Sequence, residues 1–213
     1  METIVKLNSS RGGRDKVFRT LQYCLKAINS RPYLATVETR NLEKTLASFR
    51  KLLRLGTFID VLHGARQSMH HPSLLTGALV TLSKIALAMY LFGDHLIWLH
   101  RFEIFFDKKK SVLKIYLFRN NLIKVNDIKE WEKFSDQSWL YSIILNLVRD
   151  YFELKINFKT SVVLDTLRNA ADFWIPMSYL GHVQVSNLFV GTMGVISSLL
   201  AILPLVDPLQ YKF

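Results

Sequence analysis

Half of the 213 residues are hydrophobic and the net charge is +11, at a mean hydropathy of +0.17. That balance is high for a soluble domain and low for a polytopic transporter, so it points to a few membrane spans joined to substantial polar sequence. Cys24 is the only cysteine, which excludes an intrachain disulfide, and the N-terminus has no apolar run of the kind a secretory signal needs.

The charge is unevenly placed. Residues 1–71 carry a net +8, residues 72–100 are neutral, residues 101–170 carry +4 and residues 171–213 carry −1. Basic sequence of this kind attracts anionic phospholipid or nucleic acid. No zinc-finger spacing, RNA-binding sheet signature or leucine zipper accompanies it, so an anionic membrane is the expected partner and nucleic acid is not.

The first residues read as a mobile, unmodified tail that ends at Arg11-Gly12-Gly13. A helix is expected from near Arg14, because Val17, Leu21, Cys24, Leu25 and Ile28 fall on one face at about 100° per residue. Lys16, Arg19, Gln22 and Lys26 take the other face, and Asn29-Ser30-Arg31-Pro32 stops the helix.

A second amphipathic helix is expected over residues 39–56. Leu42, Leu46, Phe49 and Leu53 form its apolar face, the candidate membrane-inserting surface. Lys44, Arg50, Lys51 and Arg54 lie on the opposite, net basic side and are the candidate contacts to anionic lipid. Packing on a core of the same chain is the competing use of such a helix. Gly56 reads as a bend, since the apolar face rotates after it, and that helix should end near Ser68.

Residues 73–99 are long and apolar enough to cross a bilayer, but Lys84 and Asp94 interrupt them, so they read as a span or a deeply embedded helix. Gly77, Thr81, Lys84, Ala88 and His95 make a small and polar seam that should face another helix. Residues 101–133 are mixed. VLKIYLFR (112–119) has strand-like content but reads as an irregular link, and Lys108, Lys109 and Lys110 as a solvated run or a headgroup contact. Residues 135–155 should form a helix capped by Ser135, too short in its uncharged part to span. A further helix is expected over 161–173, ending before Ile175-Pro176, with a turn at Gly181.

Residues 173–206 contain no Asp, Glu, Lys or Arg, and the 19 residues from 188 to 206 are almost continuously apolar. At about 1.5 Å per residue such a helix crosses most of a hydrocarbon core roughly 30 Å thick. Asn187, Gly191, Gly194, Ser198 and Ala201 line one side of it, a stripe expected to pack spans together in a homo-oligomer. The resulting expectation is an all-α, membrane-associated bundle. Basic amphipathic helices fill 1–71, a span or embedded helix 73–99, a helical linker region 100–172 and a terminal membrane segment 173–206.

Chemistry is hard to find. There is no phosphate-binding glycine loop, no H-E-x-x-H and no nucleophile elbow, and His95 and His100, five apart, do not share a helical face and have no carboxylate partner at ligand spacing. No catalytic residue, metal or cofactor is therefore expected. Trp98, Trp131, Trp139, Tyr141, Trp174 and Tyr179 stand at edges of apolar segments, where interfacial rings collect.

Six segments, in order, resemble the peroxisomal membrane protein 11 (peroxin eleven) family. They are GRDKVFRTLQY (13–23), NLEKTLASFRKLLRLGTFIDVL (41–62), YLFGDHLIWL (90–99), WLYSIILNLVRDYFELK (139–155), DFWIPMSYLG (172–181) and VGTMGVISSLLAI (190–202). The resemblance implies an integral protein of the peroxisomal membrane that elongates and remodels it before fission. It implies an amphipathic helix matching residues 41–56 that drives curvature, and self-association. It also implies cooperation with a tail-anchored fission receptor and a dynamin-like GTPase. A small-metabolite pore, which some family members have been proposed to form, is the alternative, and the seam around Lys84 and His95 is what a pore would use.

Overall fold

The computed structural model describes residues 2–105, 128–156 and 158–206, and within them the chain forms eight helices. They are α1 (Glu2–Ser9), α2 (Arg11–Asn29), α3 (Val37–Leu53), α4 (Thr57–Ser68), α5 (Leu74–Phe105), α6 (Ile128–Ile156), α7 (Thr160–Tyr179) and α8 (Asn187–Val206). The all-α architecture is the one the periodicity predicts. Lys108, Lys109, Lys110 and the 112–119 segment lie outside the described residues, as do residues 207–213.

Several boundaries differ from expectation for identifiable reasons. The N-terminal tail is a helix, and Ser10 caps the next one by accepting from the Gly13 amide at 2.9 Å. Gly12 and Gly13 therefore lie inside α2 rather than before it. Gly13 is buried because α1 folds back so closely that a β-carbon there would stand 2.1 Å from the Leu7 carbonyl oxygen. Ser135 is no cap. It lies a turn or more inside α6 and donates to the Tyr90 carbonyl at 3.1 Å. Pro176 does not end α7 but sits within it, buried beside the fully buried Ile175, and the helix runs on to Tyr179. The bends at Gly56 (φ 79°) and Gly181 (φ 75°) fall where expected, in the left-handed region that glycine tolerates.

Six helices pack edge to edge as a ring in the order α5, α6, α7, α8, α2, α3, and α3 closes it by touching α5. α4 lies against α5, and α1 against α2 and α8. Helices α5 (over Leu74–Leu99) and α8 (Asn187–Val206) are long and apolar enough to cross a membrane.

Small residues let the ring close tightly. Ser83 of α5 donates to Asn146 of α6 at 2.7 Å and meets Ser142 at 3.3 Å, while a β-carbon on Gly93 would touch Ser135 at 3.1 Å. Between α6 and α7, Asn169 donates to the fully buried Asp150 at 3.0 Å.

The distribution of polarity is reversed from that of a soluble bundle. Among the described residues, 16 buried side chains are polar or charged against 13 that are hydrophobic. Large apolar side chains line the outside instead, including Val17 and Leu21 on α2, Phe92 on α5, Val148 on α6 and Leu199 on α8. Water would penalise that surface, whereas hydrocarbon does not.

Candidate functional site

The amphipathic helix α3 is built locally by its caps. Thr36 accepts from the Thr39 amide and Thr39 returns a bond to the Thr36 amide, a reciprocal capping box. Thr39 also donates to Asn29 at 2.7 Å, and Asn29 donates to Glu43 at 2.7 Å, which ties the start of α3 to the end of α2.

The Leu42 and Phe49 part of its apolar face points away from the ring, whereas Leu53 turns inward. Leu42 and Phe49 are exposed, at 50% and 45% of their surface, and Leu46 and Leu53 are half-buried. Phe18 of α2 meets Phe49 edge to face with ring centres 5.4 Å apart. Leu21 on α2, Leu55 just before the Gly56 bend, and Ile59 and Leu62 past it are also exposed and apolar.

Its basic face points inward, and this departs from the sequence reading. Of the four candidate lipid contacts only Lys44 is exposed. Arg50 is buried, its Nε 3.1 Å from Asp15 of α2, and it donates to Gln22 at 2.6 Å. Lys51 and Arg54 both reach Asp94 of α5, at 2.6 and 2.8 Å. Arg54 also donates to the Tyr90 hydroxyl at 3.1 Å. Burial alone would push the Asp15 carboxyl up, but the Arg50 and Arg54 guanidiniums beside it hold it below the ordinary carboxylate value. The charge pairs thus clamp α3 onto α2 and α5 with its apolar side outward. Further round the ring, Arg19 of α2 grips Asp172 of α7 through two guanidinium nitrogens and lies over the Tyr23 and Trp139 rings.

Sequence reasoning missed the acidic halves of these pairs, Asp15, Asp94 and Asp172. Asp94 carried a usable signal: a lone carboxylate inside an apolar helix needs a cation, and α3 supplies two.

The stripe on α8 is also spent inside the chain. Gly191, Gly194, Ser198 and Ala201 are buried, while Asn187, at the helix start, is exposed. A β-carbon on Gly191 would meet the Ala27 backbone at 2.8 Å, and one on Gly194 would meet the Tyr23 ring at 2.3 Å. The close approach these glycines permit is to α2 of the same chain.

The polar seam of α5 faces another helix, as its composition predicts. Lys84 donates to the Gly64 carbonyl at 3.0 Å and to Ser68 at 2.7 Å, both on α4, and Thr81 donates to the Ala65 carbonyl. His95 Nε2 lies 2.9 Å from the Arg54 carbonyl oxygen. The aromatic expectations divide. Tyr141, Trp174 and Tyr179 are exposed, whereas Trp139 stacks on Tyr90 inside the bundle and Trp131 meets Phe134 edge to face. Among the described residues no set of His, Cys, Asp and Glu could hold a metal ion.

The model of the family Peroxisomal biogenesis factor 11 (PEX11) matches residues 1–118 and 157–206. Peroxisomal membrane protein 11B of Homo sapiens is 23% identical, covering 98% of each chain. Peroxisomal membrane protein 11A of Homo sapiens is 20% identical, over 98% of this chain and 97% of that one. Peroxisomal membrane protein 11C of Arabidopsis thaliana is 33% identical over 54% of this chain and 48% of its own. No solved structure matches. With a family model covering most of its length and end-to-end relatives named for the peroxisomal membrane, the chain belongs to the peroxisomal biogenesis factor 11 family.

Proposed function

We propose that this chain is an integral protein of the peroxisomal membrane that bends and elongates it, promoting proliferation and fission. The observation that carries the reading is the orientation of α3. Its apolar side, with Leu42 and Phe49, is open while its basic side is held by Asp15 and Asp94. An apolar ridge placed in one leaflet expands that leaflet and favours convex curvature. The clamp gives the wedge a fixed orientation relative to the spans α5 and α8, so insertion of the spans positions the wedge.

Lys44 is placed to meet anionic headgroups, whereas Arg50, Lys51 and Arg54 act by holding the helix. Self-association would gather many wedges in one patch. A tail-anchored receptor and a dynamin-like GTPase would then act on the narrowed tubule, partners that the family resemblance suggests. A small-metabolite pore would draw on the polar groups of α5, but Lys84, Thr81 and His95 are engaged by α4 and by the end of α3. Remodelling is therefore the better-supported reading.

Reconstitution tests it. Purified protein in anionic liposomes should draw tubules visible by negative-stain microscopy, and Leu42→Glu with Phe49→Glu should abolish them at equal protein-to-lipid ratio. Tubulation by the double variant at the wild-type level would refute the wedge.

A further inference from the structure

A cavity of about 520 Å³ is walled by α2, α3, α4, α5, α6 and α7. That volume is in the range of small-ligand sites. Six cations line it: Arg11, Lys16, Arg19, Arg50, Arg54 and Arg168. Three carboxylates do, Asp15, Asp60 and Asp172. Leu53, Leu87, Leu91 and Ile143 supply apolar wall between them.

The positive excess is not spread evenly. Arg19 is satisfied by Asp172, Arg50 by Asp15 and Gln22, and Arg54 by Asp94 and Tyr90. Arg168 reaches Asp165, 2.9 Å away on its own helix. Arg11 and Asp60 stand 3.7 Å apart and are largely exposed, a loose pair. Of these six cations Lys16 alone forms no ion pair with a described residue, although it is half-buried on the cavity wall.

Its surroundings explain why a counter-ion is wanted. Asp15 and Arg19 flank it on α2, and Asp172 and Arg168 face it from α7. Both carboxylates are already committed to arginines. Arg50 and Arg54 bring charge from α3, and Tyr90 lies on α5. α6 presents only the uncharged Trp139, Ser142, Ile143 and Asn146. Burial, with the Arg19 charge beside it, pushes the Lys16 ammonium down to about 8. A half-buried cation with no ion pair, whose neighbouring carboxylates are committed to arginines, is stabilised by an anion that enters.

We infer that this cavity binds an oxyanion, a phosphate or carboxylate head seated at Lys16 between Arg11 and Arg168, with any attached chain lying along Leu87 and Leu91. The head could belong to a lipid or to a soluble anion, and the probes separate these sources. The full-length protein, purified in a neutral detergent, is titrated calorimetrically with inorganic phosphate, with octanoate and with dihexanoyl phosphatidic acid. Dihexanoyl phosphatidylcholine serves as the control without net charge.

Saturable binding of an anionic probe, weakened about tenfold or more by Lys16→Gln and unchanged by Lys155→Gln on the exposed surface of α6, is the expected result. A response to octanoate or phosphatidic acid alone assigns an amphiphile, and one to inorganic phosphate as well assigns a soluble anion. Lys16→Arg should keep the affinity and lose the fall in binding that wild type shows between about pH 7 and 9. Absence of saturable binding by every probe would overturn the inference. So would affinity unaltered by Lys16→Gln, or, if that variant does not fold, a pH profile unaltered by Lys16→Arg.

Discussion

Arg54 at the end of α3 donates to Asp94 in the middle of α5 at 2.8 Å, with Lys51 at 2.6 Å on the other carboxylate oxygen. One acidic side chain thereby fixes the amphipathic helix against a helix long and apolar enough to cross a membrane. The same contact explains why a charge in α5 is tolerated: it is neutralised within the protein before it meets lipid.

Asp94→Asn should therefore loosen α3. Removing one partner leaves two cations facing each other in a buried site, a change that costs about 3–5 kcal/mol in comparable pairs. The check is thermal unfolding in detergent together with limited proteolysis. The variant should melt at lower temperature and become cleavable between residues 31 and 56, while α5 and α8 stay protected.

The α8 stripe yields an internal test. Gly194→Leu should drive its side chain into the Tyr23 ring and destabilise the α2–α8 contact by 1–3 kcal/mol or more, the range found for overpacking. Tyr23→Ala should recover part of that loss, because it vacates the space the new side chain needs. Recovery in the double variant, read by melting temperature, supports packing within one chain. Unchanged stability of Gly194→Leu with loss of crosslinked oligomers would instead assign the stripe to contacts between copies.

The pH dependence has a predicted sign. Burial, reinforced by the Asp94 charge, pushes the Asp136 carboxyl up to about 7. Between about pH 4 and pH 7 the folded protein then holds a proton that the unfolded chain has released. This group makes stability fall as pH rises through that window, and the penalty is complete above it. Asp136→Asn should melt at a higher temperature than wild type at pH 8 and differ little from it at pH 4.

Much of the fold could be read from residue spacing, because each helix carries its own period and punctuation. Gly56, Gly181 and the uncharged run after residue 173 marked two bends and a helix long and apolar enough to span. What the spacing does not carry is the sign of the burial. Val17, Leu21, Leu42 and Phe49 define the apolar sides of α2 and α3, and in a bundle with a polar interior those sides face out. The same inversion sends Arg50 and Arg54 inward, where partners 35 to 40 residues distant in sequence await them. Pro176 and Ser135 misled for a related reason. A proline or serine that commonly marks a helix end can be held inside a helix when tertiary packing covers it.

The central claim is that the outward side of α3, seated on a clamped scaffold, bends the membrane. The most direct measurement is peroxisome length by fluorescence microscopy in cells lacking the native protein and expressing Leu42→Glu with Phe49→Glu at the wild-type level. The account predicts that the variant reaches peroxisomes, since α5 and α8 are untouched, and leaves them short and round. Elongation equal to that produced by the wild-type chain would contradict it.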